Sequence, residues 1–215
     1  FLPAMTARRF TSSRIVAIST GNVYPFTPLS HGGAKETEPP SPVGEYGQSC
    51  LGRERIFQYF SEKHATPLSL IRLSYAIDLR YGVLLDICRK VASGEPVGLP
   101  AGYVNVIWQG DANSHILRSL ALCRPGGEIL NVTGPEAASV RSLALRFGEL
   151  LGKEPVFSGV EPGTALLADS AKCQDLFGYP RVTLARMIRW TAAWYRSGGA
   201  ALDKPTHFET RDGRF

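Results

Sequence analysis

The feature that most constrains this fold is a short apolar run, Arg14-Ile15-Val16-Ala17-Ile18, closed by Ser19-Thr20-Gly21. A continuous run of this kind bounded by a turn reads as a strand buried on both faces, the kind found in parallel sheets. Ser69-Leu70-Ile71-Arg72-Leu73 and Glu128-Ile129-Leu130-Asn131-Val132 repeat the pattern, and Val104-Asn105-Val106-Ile107 is a shorter strand. Helical periodicity fills the intervals. It runs from Glu45 to about His64, from Val83 to Ser93 with Gly94 as the stop, and from Ser139 through Leu151. Asp111 is placed to N-cap a helix reaching Cys123. Leu184, Met187, Ile188, Thr191, Trp194 and Tyr195 share one face of a last helix. Strands alternating with helices predict an α/β protein with a mainly parallel sheet.

The remaining stretches are of two kinds. Residues 25–45 hold five prolines and the pair Gly32-Gly33, so they form a long loop, and loops of that length in a compact chain are functional or disordered. Residues 200–215 are polar and expected to pack lightly. With 215 residues the chain can build one substantial core. A net charge of +5 from scattered arginines does not make a nucleic-acid stripe. No run approaches the roughly 18 apolar residues of a membrane span, and the N-terminus lacks the regions of a signal peptide. Cys50, Cys88, Cys123 and Cys173 are far apart with no C-x-x-C, which fits reduced thiols in a cytoplasmic setting better than zinc or disulfides. His31, His64, His115 and His207 form no metal-ligand spacing.

Thr20 stands where a buried strand ends and Tyr46 where a helix begins. Ligands of open parallel sheets gather outside the carboxyl ends of the strands. A phenol there can act as general acid and base if its pKa, ordinarily about 10, falls toward neutrality. A neighbouring ammonium has that effect because it favours the phenolate. On residue types alone, Thr20 could equally cap a turn and Tyr46 pack its ring. Arg80 and Tyr81 could contact a substrate phosphate, since arginine suits bidentate anion binding, or be ordinary loop residues.

The order of these elements resembles the extended short-chain dehydrogenase/reductases, the NAD-dependent epimerase/dehydratase family. That family carries a strand ending in Ser-Ser/Thr-x-x-Val-Tyr-Gly, followed by Tyr-x-x-x-Lys. Thr20, Val23-Tyr24 and Tyr46 match its Ser/Thr, its Val-Tyr pair and its tyrosine. Val106-Ile107-Trp108-Gln109-Gly110-Asp111 and Leu130-Asn131-Val132-Thr133-Gly134 resemble two later stretches, so the likeness spans about residues 1–197. It implies the later strands of a Rossmann-type sheet over residues 1–80 and, over 81–197, mainly a small C-terminal α/β substrate-binding lobe with some segments returning to the sheet. A polar tail, 198–215, follows. It further implies NAD or NADP as cofactor, and a nucleotide sugar or similar polyol as the small-molecule substrate. Thr20 and Tyr46 would be catalytic, Asn22, Arg80 and Tyr81 would lie against substrate, and a homodimer would be compatible.

Four departures bear on activity. The chain contains no G-x-x-G-x-x-G turn and begins at what would be the family's fifth strand, so it is expected to be part of a longer protein, to expose an unpaired strand edge and not to bind NAD by itself. Cys50 stands at the lysine position, where that lysine would hold the cofactor ribose and lower the tyrosine pKa; a neutral thiol does neither well. Arg53, one turn on, could supply the charge or simply face solvent or pair with a carboxylate. Tyr75 occupies a position often held by asparagine near cofactor and substrate, and Pro25 replaces the glycine after Val-Tyr. Two readings remain: an epimerase/dehydratase-type oxidoreductase, or a non-catalytic binder of a dinucleotide or metabolite on the same fold.

Overall fold

A computed structural model of the chain describes residues 1–213. Helix α1 (Leu2–Arg9) leads into strand β1 (Ile15–Thr20), and strand β2 (Thr27–Pro28) follows within the proline-rich segment. Helix α2 (Gly44–His64) then returns to strand β3 (Leu68–Leu73), and β4 (Ala76–Ile77) precedes helix α3 (Val83–Ser93). Three short strands come next, β5 (Val97–Gly98), β6 (Tyr103–Val104) and β7 (Ile107–Trp108), then helix α4 (Gln109–Arg118) and strand β8 (Glu128–Val132). The remainder is β9 (Ala138–Ser139), α5 (Val140–Leu151), β10 (Phe157–Ser158), β11 (Thr164–Ala165), α6 (Ala171–Phe177) and α7 (Leu184–Arg196).

The three apolar runs form one parallel sheet in the order β1-β3-β8, with Ile18 opposite Ile71 and Ile71 opposite Leu130. Their continuous hydrophobicity is explained by cover on both faces. One face packs Ile71, Leu130 and Val132 with Ala112 and Cys173 beneath α4 and α6, and the other packs Ala17, Leu68 and Leu70 with Phe57 of α2. Among the described residues no strand pairs with the outer edge of β1, where Ile18 is 43% exposed. A separate core lies between α3, α5 and α7, built from Leu84, Ile87, Leu143, Phe147, Met187 and Ile188. Ser139 caps α5 as expected, its hydroxyl accepting from the Ser142 amide.

Several elements differ from the sequence reading. Residues 104–107 do not form one strand: β6 pairs antiparallel with β9, whereas β7 pairs parallel with β4. The break falls at Asn105, whose side-chain amide donates to the Ala168 carbonyl at 2.6 Å and whose own carbonyl accepts from Thr133 Oγ1 at 3.0 Å. Those bonds replace ladder partners, so the chain can leave one sheet for the other. Asp111 lies inside α4 rather than at its cap, and its carboxylate accepts from the Val182 amide at 2.9 Å. The proline-rich segment is pinned by the β2–β11 pair and by a bridge between Ala34 and Ala168.

The largest departure is the C-terminal tail, which does not pack lightly. Phe208 is buried in the α3–α5–α7 core, Glu209 pairs with Lys90 at 2.6 Å, and Arg211 lies 3.9 Å from the centroid of the Phe26 ring. Residues 214 and 215 lie outside the described residues.

One buried histidine makes stability depend on pH. His115 Nδ1 lies 3.2 Å from Cys173 Sγ, and burial, then the Arg118 guanidinium, hold the imidazole below its ordinary pKa against the opposing pull of Asp111. The folded chain therefore binds a proton there less readily than the unfolded chain. Its contribution is complete above the ordinary value of about 6.5 and is lost as pH falls from there through the folded-state value. The Tm should decline across that window, and His115→Gln should flatten the decline; equal slopes in parent and variant would clear His115 of the effect.

Candidate active site

Thr20 ends β1 and accepts a hydrogen bond from the Asn22 amide at 3.2 Å, closing the single turn that follows the strand. Helix α2 begins beside this turn. Gly47 permits the approach, because a Cβ there would stand 2.5 Å from the Asn22 carbonyl oxygen. Tyr46 and Thr20 thereby meet at the carboxyl end of the sheet, where the Thr20 hydroxyl is near enough to favour the Tyr46 phenolate. Both line a cleft of about 520 Å³, joined by Asn22, Tyr75 and Tyr81. Five of the eight residues singled out from sequence therefore share one wall system.

The other three lie elsewhere. Cys50 is 2% exposed, packed with Val23, Tyr24, Ala34 and Ala168, and is not on the cleft wall. Arg53 donates to Cys50 Sγ at 3.5 Å. Arg80 forms an exposed ion pair with Asp78 at 3.0 Å.

The electrostatics oppose an activated phenol. Desolvation first, then the Cys50 sulfur, raise the Tyr46 pKa above its ordinary value, while the Thr20 hydroxyl and the Arg53 guanidinium pull the other way without prevailing. Tyr75 is pushed up to about 12 by burial and by Tyr81, so it stands in the cleft as a neutral phenol. Its backbone lies at φ +37°, in the left-handed region that a residue with a side chain seldom adopts.

Behind the site lies a buried polar network that ties β3, α2 and β8 together. Arg72 is 2% exposed, and its guanidinium grips the Glu54 carboxylate, with N···O distances of 2.8 and 3.2 Å, while also donating to Tyr24 Oη at 2.8 Å. Tyr24 in turn donates to Asn131 Oδ1 at 2.8 Å, and Asn131 Nδ2 donates to the Ala34 and Asp169 carbonyls. Tyr24, the tyrosine of the Val-Tyr pair, thus holds the loop after the Thr20 turn against the sheet. Arg72 and Glu54 were not among the sequence candidates, although a charge inside the apolar run 69–73 is a signal that a buried partner must exist.

Sequence reasoning also passed over Ser19, Lys204, Thr206 and His207, all of which line the cleft. Ser19 Oγ itself is sealed from solvent, with no hydrogen-bond partner among the described residues. The tail residues gave no local signal, since they reach the cleft only through tertiary docking.

A solved UDP-glucose 4-epimerase from Thermus thermophilus, in complex with NAD, superposes with a TM-score of 0.74 over 90% of this chain and 67% of that one, at 22% identity. This is the fold of the extended short-chain dehydrogenase/reductases. Two more structures agree on the short-chain dehydrogenase/reductase fold. The UDP-glucuronic acid 4-epimerase of Bacillus cereus, in complex with UDP-glucuronic acid and NAD, gives 0.74 over 91% of this chain and 67% of that one, at 18% identity. The dTDP-glucose 4,6-dehydratase of Bacillus anthracis, in complex with NAD, gives 0.74 over 91% and 65%, at 19% identity. The chain thus spans about two thirds of the length of each. No family model and no curated protein matches its sequence. No described helix is long and apolar enough to cross a membrane, and no described cluster of His, Cys, Asp and Glu could hold a metal.

Proposed function

We propose that this chain supplies the tyrosine–threonine pair and the substrate lobe of an NAD(P)-dependent oxidoreductase of the epimerase/dehydratase type, acting on a nucleotide sugar. The observation that carries the reading is the shared cleft in which the Thr20 hydroxyl meets the Tyr46 phenol. Tyr46 takes the proton from a substrate alcohol as the carbon is oxidised and returns it on reduction. Thr20 hydrogen-bonds the same oxygen and orients it toward Tyr46. Bound NAD(P) supplies the hydride acceptor. Of the described residues, Thr20 and Tyr46, which line the cleft together, fit the reactive end of such a cofactor. Cys50, turned into the core, leaves the ribose without the lysine that the resemblance implies. The nucleotide-sugar class is supported by the three similar structures, each a nucleotide-sugar epimerase or dehydratase by description.

A second reading, a dinucleotide or metabolite binder without turnover, is favoured by the raised Tyr46 pKa. Incubating the full-length protein that carries this chain with NAD and UDP-glucose, dTDP-glucose or UDP-glucuronic acid separates the two. Accumulation of reduced nicotinamide, or epimerised or dehydrated sugar, supports the oxidoreductase; saturable ligand binding with no product in any of the three supports the binder and sinks the enzyme.

A further inference from the structure

We infer that residues 203–211 form a strap whose purpose is to carry an anion-binding pair, Lys204 and His207, onto the wall of the cleft. The inference rests on the reading that this cleft receives the substrate, and it names the feature of the substrate that the strap recognises: a phosphoryl group.

The strap is held from several sides. Asp86 of α3 accepts from both the amide and the hydroxyl of Thr206, at 3.0 and 2.6 Å. Arg89 and Lys90 of the same helix pair with Asp203 and Glu209, at 2.8 and 2.6 Å. Further along, Arg211 donates to the Pro100 and Thr164 carbonyls and to Thr164 Oγ1. The chain then passes so close to the start of α2 that a Cβ on Gly44 would lie 2.5 Å from the Gly213 carbonyl oxygen. The strap therefore runs from α3 to the first turn of the helix that carries Tyr46.

Its backbone is bent to suit. Asp203 and His207 both adopt left-handed conformations, at φ +47° and +53°, which non-glycine residues avoid unless the surroundings impose them. Thr206 sits between them, anchored to Asp86, and Lys204, Pro205, Thr206 and His207 line the cleft.

The charge pattern shows what the strap adds. The described cleft lining contains no aspartate and no glutamate, and Lys204 is its only lysine or arginine. Lys204 forms no ion pair among the described residues, in contrast to Lys90 and Lys172. His207 of the same strap lines the cleft with it. An ammonium and an imidazole on a cleft whose lining holds no carboxylate, the nearby Asp86 being engaged by Thr206, constitute a receptor for phosphate oxygens. Without the strap the wall would be neutral.

Inorganic pyrophosphate is the probe, titrated calorimetrically against the whole chain. Saturable binding by the parent is expected, weakened about tenfold or more by Lys204→Met. Asp86→Ala should cause a comparable loss although Lys204 is intact, and circular dichroism of each variant shows whether it is folded. Lys153→Met, which alters an exposed lysine away from the cleft, should bind as the parent does. No binding by the parent, equal loss in Lys153→Met, or unchanged binding in Lys204→Met would each overturn the strap as an anion receptor. Binding needs no oxidation chemistry, so pyrophosphate held through Lys204 keeps this reading even where the full-length protein shows no turnover, the result that sinks the enzyme. Turnover indifferent to Lys204→Met does the reverse.

Discussion

Tyr46→Phe should lower any hydride transfer or sugar conversion by this protein by about 10²- to 10⁴-fold, the range expected when a positioned acid–base group is removed. The ring remains, so the helix start it packs against is unchanged, and KM should move far less than kcat. The pH profile of the parent carries the sharper information. The base form of Tyr46 is the phenolate, and desolvation together with the Cys50 sulfur hold its pKa above the ordinary value. The parent rate should therefore climb about tenfold per pH unit through neutrality and into the alkaline range. Cys50→Lys replaces a buried thiol with an ammonium on the turn of helix that follows Tyr46. It should pull the phenol down by about 1–3 units and move the rising limb by the same interval. The lysine stem must thread past Val23 and Tyr24 to bring its amine toward the cleft, and it meets the Arg53 guanidinium already at that sulfur. A stability loss of about 1–3 kcal/mol is the expected cost of overpacking. Full activity in Tyr46→Phe would remove it as the base; an unmoved limb in a folded Cys50→Lys would show that residue 50 does not govern the phenol.

The second large effect is structural. Glu54→Leu leaves the Arg72 guanidinium buried with its charge uncompensated, and the expected destabilisation is about 3–5 kcal/mol. For a chain of this size that lowers the Tm by roughly 10 °C. The double variant Glu54→Leu/Arg72→Met removes both charges, so it should recover much of the loss, although Tyr24 then loses the donor that Arg72 provides at 2.8 Å. Denaturant unfolding of the parent, two single variants and the double variant closes the cycle. A Glu54→Leu change under about 1 kcal/mol would mean that water reaches the pair and that the network does not hold α2 to the sheet. If the network does hold it, the two predictions are linked, because α2 carries Tyr46 in its first turn and Glu54 roughly two turns further along.

Much of the scaffold was legible before any coordinates. Thr20 and Tyr46 could each be placed at a boundary that local chemistry defines, the end of an apolar run and the start of helical periodicity, while their pairing came from the resemblance of the whole chain order. Cys50 could be identified as a departure for the same reason, since its place on the helix follows from counting. Where its sulfur points could not. That depends on the packing of Val23, Tyr24, Ala34 and Ala168, brought together from three separate segments.

The sequence by itself determined the alternation of strands and helices and the parallel character of the sheet. These follow from hydrophobic period and turn chemistry, which act over a few residues. Only the tertiary structure decided that Arg72 would find Glu54 and Tyr24, that Tyr24 would reach Asn131 107 positions away, and that a polar tail would return 120 positions to Asp86 and place Lys204 in the cleft. Such contacts carry no periodic signature, because a buried charge or an unpaired carboxylate demands a partner without specifying where along the chain it lies.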